Sequence, residues 1–225
     1  PLSQTAAPAR DGMRDTRLQL QNKIINNLDP RLDLSDAKAV FMEPAACVLR
    51  GIRHARLQER KPGTAAIVGG GSMGLLHLLV LKALFPALRV ALSDPLEERL
   101  HHAREIGADA AVPPGYVRDA VDALSDGLGA DVAFDTAGGA EALAAALGLL
   151  RPGGTAVLFA HAGEGERAGF DLNAFFKNEA KLIATYSSSV AEQREIYRLM
   201  VTRRLDPSPL VTHRLPLSRF DEAVD

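Results

Sequence analysis

A glycine-rich turn between a short apolar run and a long apolar helix pattern constrains this chain most. Its glycines Gly69, Gly71 and Gly74 have the G-x-G-x-x-G spacing. In a dinucleotide site the first glycine makes a tight strand-to-helix turn, the second leaves room for a pyrophosphate, and the third lets the helix pack closely on the strand. A helix that starts near Ser72 would direct free N–H groups and its positive dipole end at the phosphates. The turn therefore predicts a phosphate-binding site at the start of this helix.

The next apolar segment strengthens this interpretation because an acidic residue follows it. Strand Leu88–Ser93 leads directly to Asp94, where a carboxylate can hydrogen-bond the diol of an adenosine ribose. The glycines, the strand and the carboxylate together predict a site for a nicotinamide dinucleotide. Asp94 has a second interpretation as the N-cap of the following helix, with Pro95 at the first helical position. The two roles can coexist.

From Thr64 onward, strand and helix patterns alternate. The predicted strands are Ala65–Val68, Leu88–Ser93, Ala110–Val112, Asp131–Phe134, Thr155–Ala160 and Lys181–Tyr186. The predicted helices between and after them are Ser72–Phe85, Leu96–Ile106, Val117–Leu124, Glu141–Leu150 and Ala191–Thr202, with a turn over Arg151–Gly154. This alternation is typical of the α/β class, with a doubly wound parallel sheet (a Rossmann fold). A serine at or near Ser189 is the predicted N-cap of the last helix.

Ligands of such a sheet bind at the carboxyl ends of its strands. Besides the glycine turn and Asp94, the segments Thr136–Gly138 and Ala160–Ala162 follow predicted strands. The glycine turn and Asp94 are expected to hold pyrophosphate and adenosine ribose. The other two segments are expected to lie toward the nicotinamide.

Composition narrows the classes of partner. The formal net charge is −2 and the basic residues are dispersed, which predicts no nucleic-acid partner. The longest apolar helix, Leu75–Phe85, is too short to cross a bilayer, which predicts no membrane partner. The single cysteine, Cys47, excludes an internal disulfide and fits a reducing, cytoplasmic compartment.

Several short motifs, in their order and spacing, resemble the cofactor-binding half of the medium-chain, zinc-type alcohol and polyol dehydrogenases. These motifs are Phe41–Gly51, Lys61–Gly63, the glycine turn, Glu98–Leu100, Ile106–Asp109, Leu150–Gly154 and Val211–Leu217. The resemblance covers roughly Leu34–Asp225. It implies an NAD-binding Rossmann domain over residues 35–204 and a segment over 205–225 that returns to the catalytic domain. Residues 1–34 are expected to be a tail with a possible helix at Met13–Leu28. The resemblance further implies that the N- and C-terminal segments are short remnants of a second domain.

The resemblance also implies cofactor contacts, position by position. The residues concerned are Gly69, Gly71, Ser72, Met73, Gly74, Asp94, Arg99, Thr136, Phe159 and Ala160. The first five would hold the pyrophosphate, the next two the adenosine side, and the last three would border the nicotinamide. Asp94 implies NAD rather than NADP, because a 2′-phosphate would meet a like charge. The implied reaction is reversible hydride transfer between a secondary alcohol or sugar alcohol and the nicotinamide.

Only one zinc-ligand position of that family is matched, at Glu43. Its members hold a catalytic zinc through a cysteine and a His-Glu pair in an N-terminal domain, with a third ligand at the position of Glu43. Here no cysteine precedes Cys47 and no His-Glu pair occurs, whereas a catalytic zinc needs about three protein ligands. No zinc is therefore expected in this chain alone, and no catalytic residue is assigned.

Glu43 and Cys47 also have plainer interpretations. Glu43 would be a carboxylate favoured by the dipole at a helix N-terminus. Cys47, four residues on, would share its helical face as a small buried residue.

Two functions therefore stay open. One is a dehydrogenase, and the other is a non-catalytic NAD-binding module, or a subunit or fragment that lacks the zinc-bearing catalytic domain. Family members pair through the edge of this sheet, and the predicted edge strand Lys181–Tyr186 carries apolar residues such as Leu182 and Ile183. An open apolar edge invites strand addition, so a homodimer is expected.

Overall fold

The structure is a computed structural model that describes residues 36–57, 63–219 and 222. All of these belong to one compact unit, Leu34–Asp225. The helix predicted at Met13–Leu28 and most of the turn at 61–63 lie outside the described residues. The domain limits at residues 34 and 204 stay predictions.

Eight helices and six strands are described, with short 3₁₀ turns at Pro114–Tyr116, Ser208–Leu210 and Leu217–Arg219. The helices are α1 (Asp36–Ala39), α2 (Met42–His54), α3 (Ser72–Leu84), α4 (Glu97–Glu105), α5 (Val117–Ser125), α6 (Ala140–Gly148), α7 (Leu172–Lys177) and α8 (Val190–Val201). The strands are β1 (Thr64–Val68), β2 (Arg89–Ser93), β3 (Ala110–Val112), β4 (Ala130–Asp135), β5 (Leu150–Leu158) and β6 (Lys181–Ala184).

The strands form one parallel sheet in the order β3-β2-β1-β4-β5-β6. The chain builds outward from β1 to β3, then returns to the other side of β1 and builds outward again to β6. This order confirms the predicted doubly wound α/β fold. The direction of winding reverses between β1 and β4, where such folds bind their ligands.

Alternate residues of the central strand β1 pack on opposite faces of the sheet. Ala65 and Ile67 belong to the larger core cluster, which also contains the buried apolar side chains of α2, α3 and α8. Ala66 belongs to a smaller cluster with Val121 of α5 and Ala146 of α6. All three β1 residues are fully buried, because helices cover both faces, as expected for a parallel sheet.

The segment predicted as a turn at Arg151–Gly154 lies within β5, so this prediction was wrong. Ala130 pairs with Leu150, and Val132 next pairs with Thr155, so the register shifts between them. Gly153 has a positive φ of 73°, which glycine adopts readily. The sequence motif therefore marks a bulge in a strand instead of its boundary.

Helix α7 was not predicted, because its segment reads as a glycine-rich loop. The Asp171 side chain begins this helix by accepting the N–H groups of Asn173 and Ala174 at 2.8 and 3.0 Å. By contrast, the predicted N-cap at Ser189 is confirmed. Ser189 and Glu192 form a reciprocal capping box at the start of α8. In the part of the chain that the structure describes, no helix is long and apolar enough to cross a bilayer.

Candidate functional site

The glycine turn connects β1 to α3, as the spacing predicts. Gly69 has a φ of +105°, and its N–H donates to the Ser93 carbonyl of β2 at 2.8 Å. Gly71 occupies the N-cap position of α3 in extended backbone, with a φ of −68°. A Cβ built on Gly71 would meet no atom within 4 Å. Space is therefore open at the helix N-terminus, where backbone N–H groups can receive an anion.

Gly74 occupies the tightest contact of the turn. A Cβ at this position would lie 1.8 Å from the Gly69 carbonyl oxygen. The absence of a side chain lets α3 approach the end of β1, as predicted. The Thr136 hydroxyl donates to the same Gly69 oxygen at 2.8 Å and contacts the Val68 oxygen at 3.0 Å. Thr136 thereby joins the loop after β4 to the glycine turn.

Asp94 follows β2, and its side chain is hydrogen-bonded to the glycine turn. Its side chain is 2% exposed, and its Oδ2 accepts the Gly70 N–H at 2.7 Å. Oδ1 accepts the Leu96 N–H at 2.9 Å. Because a carboxylate oxygen can accept two hydrogen bonds, Oδ1 retains capacity for a further donor such as a ribose hydroxyl.

The interpretation of Asp94 as a helix N-cap was wrong. Helix α4 begins at Glu97, and Leu96 occupies its N-cap position. The carboxylate of Asp94 instead organises the approach to the helix. The guanidinium of Arg99 lies 3.2 Å from Asp94 Oδ2, and 45% of the Arg99 side chain is exposed. Arg99 therefore faces both the carboxylate and solvent.

A cavity of about 470 Å³ lies against the carboxyl ends of β1, β2 and β4. It brings together five of the residues predicted for the site, namely Gly69, Gly71, Asp94, Arg99 and Thr136. Its volume is within the range of small-molecule sites. The other five predicted residues, Ser72, Met73, Gly74, Phe159 and Ala160, do not line it. Ser72 and Met73 form the first turn of α3 beside it.

Phe159 and Ala160 follow β5 and are held by the neighbouring strand. Their N–H groups donate to the Asp135 carbonyl at 3.1 and 3.0 Å. The half-buried Phe159 ring lies edge-on to the His77 ring, with centroids 4.5 Å apart. Core packing therefore fixes one side of Phe159.

Asp135 also lies in this region, although the sequence did not predict it as a site residue. It is fully buried, and its Oδ1 accepts the N–H groups of Ala137 and Gly138 at 3.2 and 2.8 Å. Burial raises the pKa of this carboxyl. The signal was present in the Asp-x-x-Gly pattern after a strand, since aspartate side chains bond the backbone two or three residues on. Asp135 shapes the loop that contains Thr136.

Glu43 and Cys47 share a face of α2, as predicted. The Cys47 thiol donates to Glu43 Oε1 at 3.2 Å. Burial, followed by the bond and charge of Glu43, raises the pKa of this thiol to about 11. Among residues 36–57, 63–219 and 222, no group of three or more His, Cys, Asp or Glu side chains could hold a metal ion. The described residues therefore do not fit a catalytic zinc by themselves.

Comparison with known proteins supports the resemblance to the cofactor-binding half of the zinc-type dehydrogenases. A family model described as zinc-binding dehydrogenase matches residues 61–202. Sorbitol dehydrogenase of Halalkalibacterium halodurans is 27% identical over 195 residues, which make up 84% of this chain and 55% of that protein. D-altritol 5-dehydrogenase of Agrobacterium fabrum is 32% identical over 188 residues, or 81% of this chain and 53% of that protein.

The fold has a counterpart among solved structures. A zinc-binding dehydrogenase of Sinorhizobium meliloti 1021, solved with bound NADP, is similar with a TM-score of 0.76 and 27% identity, over 88% of this chain and 57% of that one. This chain spans about half the length of the relatives it matches. The family model covers more than half of this chain, which therefore belongs to the zinc-binding dehydrogenase family.

Proposed function

We propose that this chain binds NAD(H) as the cofactor-binding part of a dehydrogenase. The reaction is reversible hydride transfer between a secondary alcohol or sugar alcohol and the nicotinamide. The observation that carries the proposal is the buried carboxylate of Asp94, bonded to Gly70 in the glycine turn beside an open cavity. The names of the sorbitol and D-altritol relatives support a polyol as the substrate class.

The residues at the turn fit a dinucleotide. The open space at Gly71 accommodates a pyrophosphate, which the N–H groups of Ser72 and Met73 at the start of α3 receive. Oδ1 of Asp94 accepts a ribose hydroxyl, and Arg99 covers the adenosine side. The bound nicotinamide supplies the hydride acceptor or donor, and this chain supplies binding and orientation.

NAD is the proposed form of the cofactor. A 2′-phosphate would bring negative charge against Asp94, whose carboxylate is fixed by the Gly70 N–H. Arg99 is close enough to offset part of that repulsion, since its guanidinium lies 3.2 Å from the carboxylate. The S. meliloti structure was solved with NADP, so the relative affinities of this chain for NADH and NADPH are the decisive measurement.

The alternative is a non-catalytic NAD-binding module. The described residues favour this alternative, because they contain no group of three His, Cys, Asp or Glu side chains that could hold a zinc ion near Glu43 or elsewhere. The two functions differ in where the zinc ligands are. A dehydrogenase needs them from a part of the protein outside the described residues or from another chain, and a binding module needs none.

Gly71→Val is the sharpest test of cofactor binding. Its backbone conformation suits any residue, and the space at its Cβ is open, so the variant should fold while the side chain fills the pyrophosphate position. Gly148→Val is the matched control, because its Cβ is equally open at the end of α6. NADH titration by cofactor fluorescence should show binding to the wild type and the control only. Equal binding by Gly71→Val would contradict the proposed site.

Turnover separates the two candidate functions. The 225-residue chain should be assayed with NAD and sorbitol, with and without added zinc. Reduction of NAD supports the dehydrogenase. Tight NADH binding without turnover fits both the binding module and a dehydrogenase whose zinc ligands come from another chain, and turnover that appears only after a zinc-bearing chain is added supports the dehydrogenase.

We also propose an assembly and a cellular location for this chain. Strand β6 is an edge of the sheet, and a homodimer built on this edge is proposed. The one cysteine in the sequence supports a reducing, cytoplasmic location.

A further inference from the structure

We infer that Glu166 is a positioning residue that fastens the loop after β5 to the N-terminus of α6 and thereby fixes the nicotinamide side of the cofactor site. The inference rests on the proposed function, because it takes Phe159 and Ala160 to border the nicotinamide. Glu166 lies seven residues beyond Phe159, in a segment whose residues 161–170 are all exposed.

The carboxylate of Glu166 bridges two backbone N–H groups. Its Oε1 accepts the N–H of Ala140, the first residue of α6, at 2.9 Å. Its Oε2 accepts the N–H of Gly163 in its own loop at 3.0 Å. The N–H of Glu166 in turn donates to the Gly163 carbonyl at 3.1 Å. One side chain therefore closes the loop on itself and attaches it to a helix N-terminus, where negative charge is favoured.

The backbone beneath this attachment is too close to admit side chains. A Cβ on Gly138 would lie 2.5 Å from the His161 carbonyl oxygen, and one on Gly139 would lie 3.2 Å from Glu166 Oε1. Both glycines have positive φ values, of 82° and 90°. The loop after β5 therefore rests directly on the loop after β4.

A chain of contacts continues from there to the glycine turn. The loop after β4 touches Gly69, where a Cβ would lie 2.9 Å from the Ala137 nitrogen. The loop after β5 starts from Phe159 and Ala160, whose N–H groups bond the Asp135 carbonyl. The three loops at the carboxyl ends of β1, β4 and β5 thus form one surface, and Glu166 holds its outermost part.

Apart from these bonds, the described residues of this segment make ring contacts at its two ends, and the Phe170 ring lies 5.0 Å from the Phe175 ring of α7. The His161 ring lies edge-on to the Tyr186 ring at a centroid distance of 6.0 Å, but both residues are exposed. Between these two ends the residues of the loop are exposed, so the position of this middle part depends on the two bonds of Glu166. Loss of these bonds should loosen the nicotinamide side and leave the Asp94 side unchanged.

The test compares two ligands that differ only in the nicotinamide end. NADH and ADP-ribose are titrated by calorimetry against the wild type, Glu166→Ala and Glu166→Gln. Glu166→Ala should bind NADH about threefold to tenfold more weakly, the range expected for one net hydrogen bond, with ADP-ribose affinity unchanged. Glu166→Gln should fall between, since its amide oxygen can accept one N–H but its NH₂ group cannot accept the other. Glu164→Ala is the matched control, an exposed glutamate two residues away.

Hydrogen exchange provides a readout that does not depend on the cofactor. The Ala140 amide should lose protection in Glu166→Ala and keep it in Glu164→Ala. NADH affinity equal to wild type in Glu166→Ala, or equal loss for NADH and ADP-ribose, would overturn the inference and leave the proposed function standing. Failure of the wild type to bind NADH would overturn the proposed function and the inference with it.

Discussion

The carboxylate of Asp94 accepts the backbone N–H of Gly70 at 2.7 Å. This bond joins the end of β2 to the middle of the glycine turn. The group proposed to select the cofactor is therefore also a group that shapes the phosphate site. A substitution of Asp94 changes both functions unless it keeps an acceptor in place.

The first prediction is that the chain binds NADH more tightly than NADPH and that Asp94→Asn narrows the difference. Asparagine keeps an oxygen that can accept the Gly70 N–H and removes the negative charge beside a 2′-phosphate, although its NH₂ group cannot accept the Leu96 N–H. Asp94→Ser should narrow the difference too, with weaker binding of both cofactors because the shorter side chain has no carboxylate to accept the Gly70 and Leu96 N–H groups. Fluorescence titration of the six protein–cofactor pairs measures this. Wild-type preference for NADPH, or an unchanged ratio in Asp94→Asn, would contradict it.

Asp126→Asn is the control for this series. Asp126 is an exposed carboxylate beyond α5, and its positive φ of 55° is readily adopted by asparagine. Asp126→Asn removes one negative charge, as Asp94→Asn does, but at a position that does not line the cavity. Its NADH to NADPH ratio should equal that of the wild type.

The second prediction concerns stability at the glycine turn. Gly74→Ala places a methyl group 1.8 Å from the backbone oxygen of Gly69, so the helix and the turn must separate. We expect a loss of about 1–3 kcal/mol in the free energy of unfolding, the usual cost of overpacking. Gly71→Ala, whose methyl group meets no atom within 4 Å, should stay within about 0.5 kcal/mol of wild type. Urea unfolding followed by circular dichroism compares them.

The third prediction is a pH dependence caused by His77. This residue is fully buried, and burial lowers its pKa from 6.5 to about 4. Its Nδ1 lies 2.7 Å from the Met73 carbonyl oxygen, so Nδ1 carries the proton of the neutral ring. Between pH 6.5 and 4 the unfolded state binds a proton that the folded state does not. The free energy of unfolding therefore falls across this window, by up to about 3 kcal/mol at 1.36 kcal/mol per pKa unit.

His77→Leu isolates this contribution. Leucine cannot titrate and suits the apolar surroundings between Phe134 and Phe159. Its free energy of unfolding should fall less steeply than that of the wild type between pH 6.5 and 4. Parallel slopes for the two proteins in urea titrations would show that His77 does not set the dependence.

The fourth prediction is that the purified 225-residue chain holds no stoichiometric zinc. Glu43 is exposed, and Cys47 is a protonated thiol at neutral pH, since its pKa is raised to about 11. Because zinc binds the thiolate form of cysteine, Glu43 and Cys47 are unfavourable zinc ligands at neutral pH. Elemental analysis after dialysis decides the matter. One tightly held zinc per chain that survives dialysis would refute the prediction, unless a partner chain supplies ligands.

The fifth prediction is a homodimer through β6. Ile183 packs against the core, so Ile183→Lys would disturb the fold as well as the edge. Ala184 is exposed at the end of the same strand, which makes Ala184→Lys the cleaner substitution. Light scattering should show a dimer for the wild type and a monomer for Ala184→Lys, with unfolding midpoints that agree. A wild-type monomer at micromolar concentration would show that this edge does not pair.

The sequence predicts the sheet well because apolar runs and glycine turns are local signals. The close packing of Gly74 could be predicted from spacing alone, since the turn that it contacts is only a few residues away in sequence. The proposed role of Asp94 rests on a similarly local pattern, a carboxylate at the end of a strand. Glu166 could not be assigned in this way. Its partner Ala140 lies 26 positions earlier, and an exposed glutamate in a loop has no pattern of its own.

Errors in the predicted elements also have physical causes. Arg151–Gly154 contains proline and two glycines, which favour a turn, but pairing with β4 absorbs these residues as a bulge. The side chain of Arg151 contributes through an ion pair with Asp131 at 2.7 Å. Long-range pairing therefore overrides the local preference at this position.

The order of the strands also determines how long β1 lacks its second neighbour during synthesis. Strand β1 pairs with β2 soon after synthesis, but its other neighbour, β4, lies roughly 65 residues later, since Ala65 pairs with Val132. At about 5–20 residues per second, β1 waits about 3–13 s for this partner. During that interval an apolar strand edge is exposed to other nascent chains and to chaperones. The residues that make the centre of the finished sheet are thus the most vulnerable part of the unfinished one.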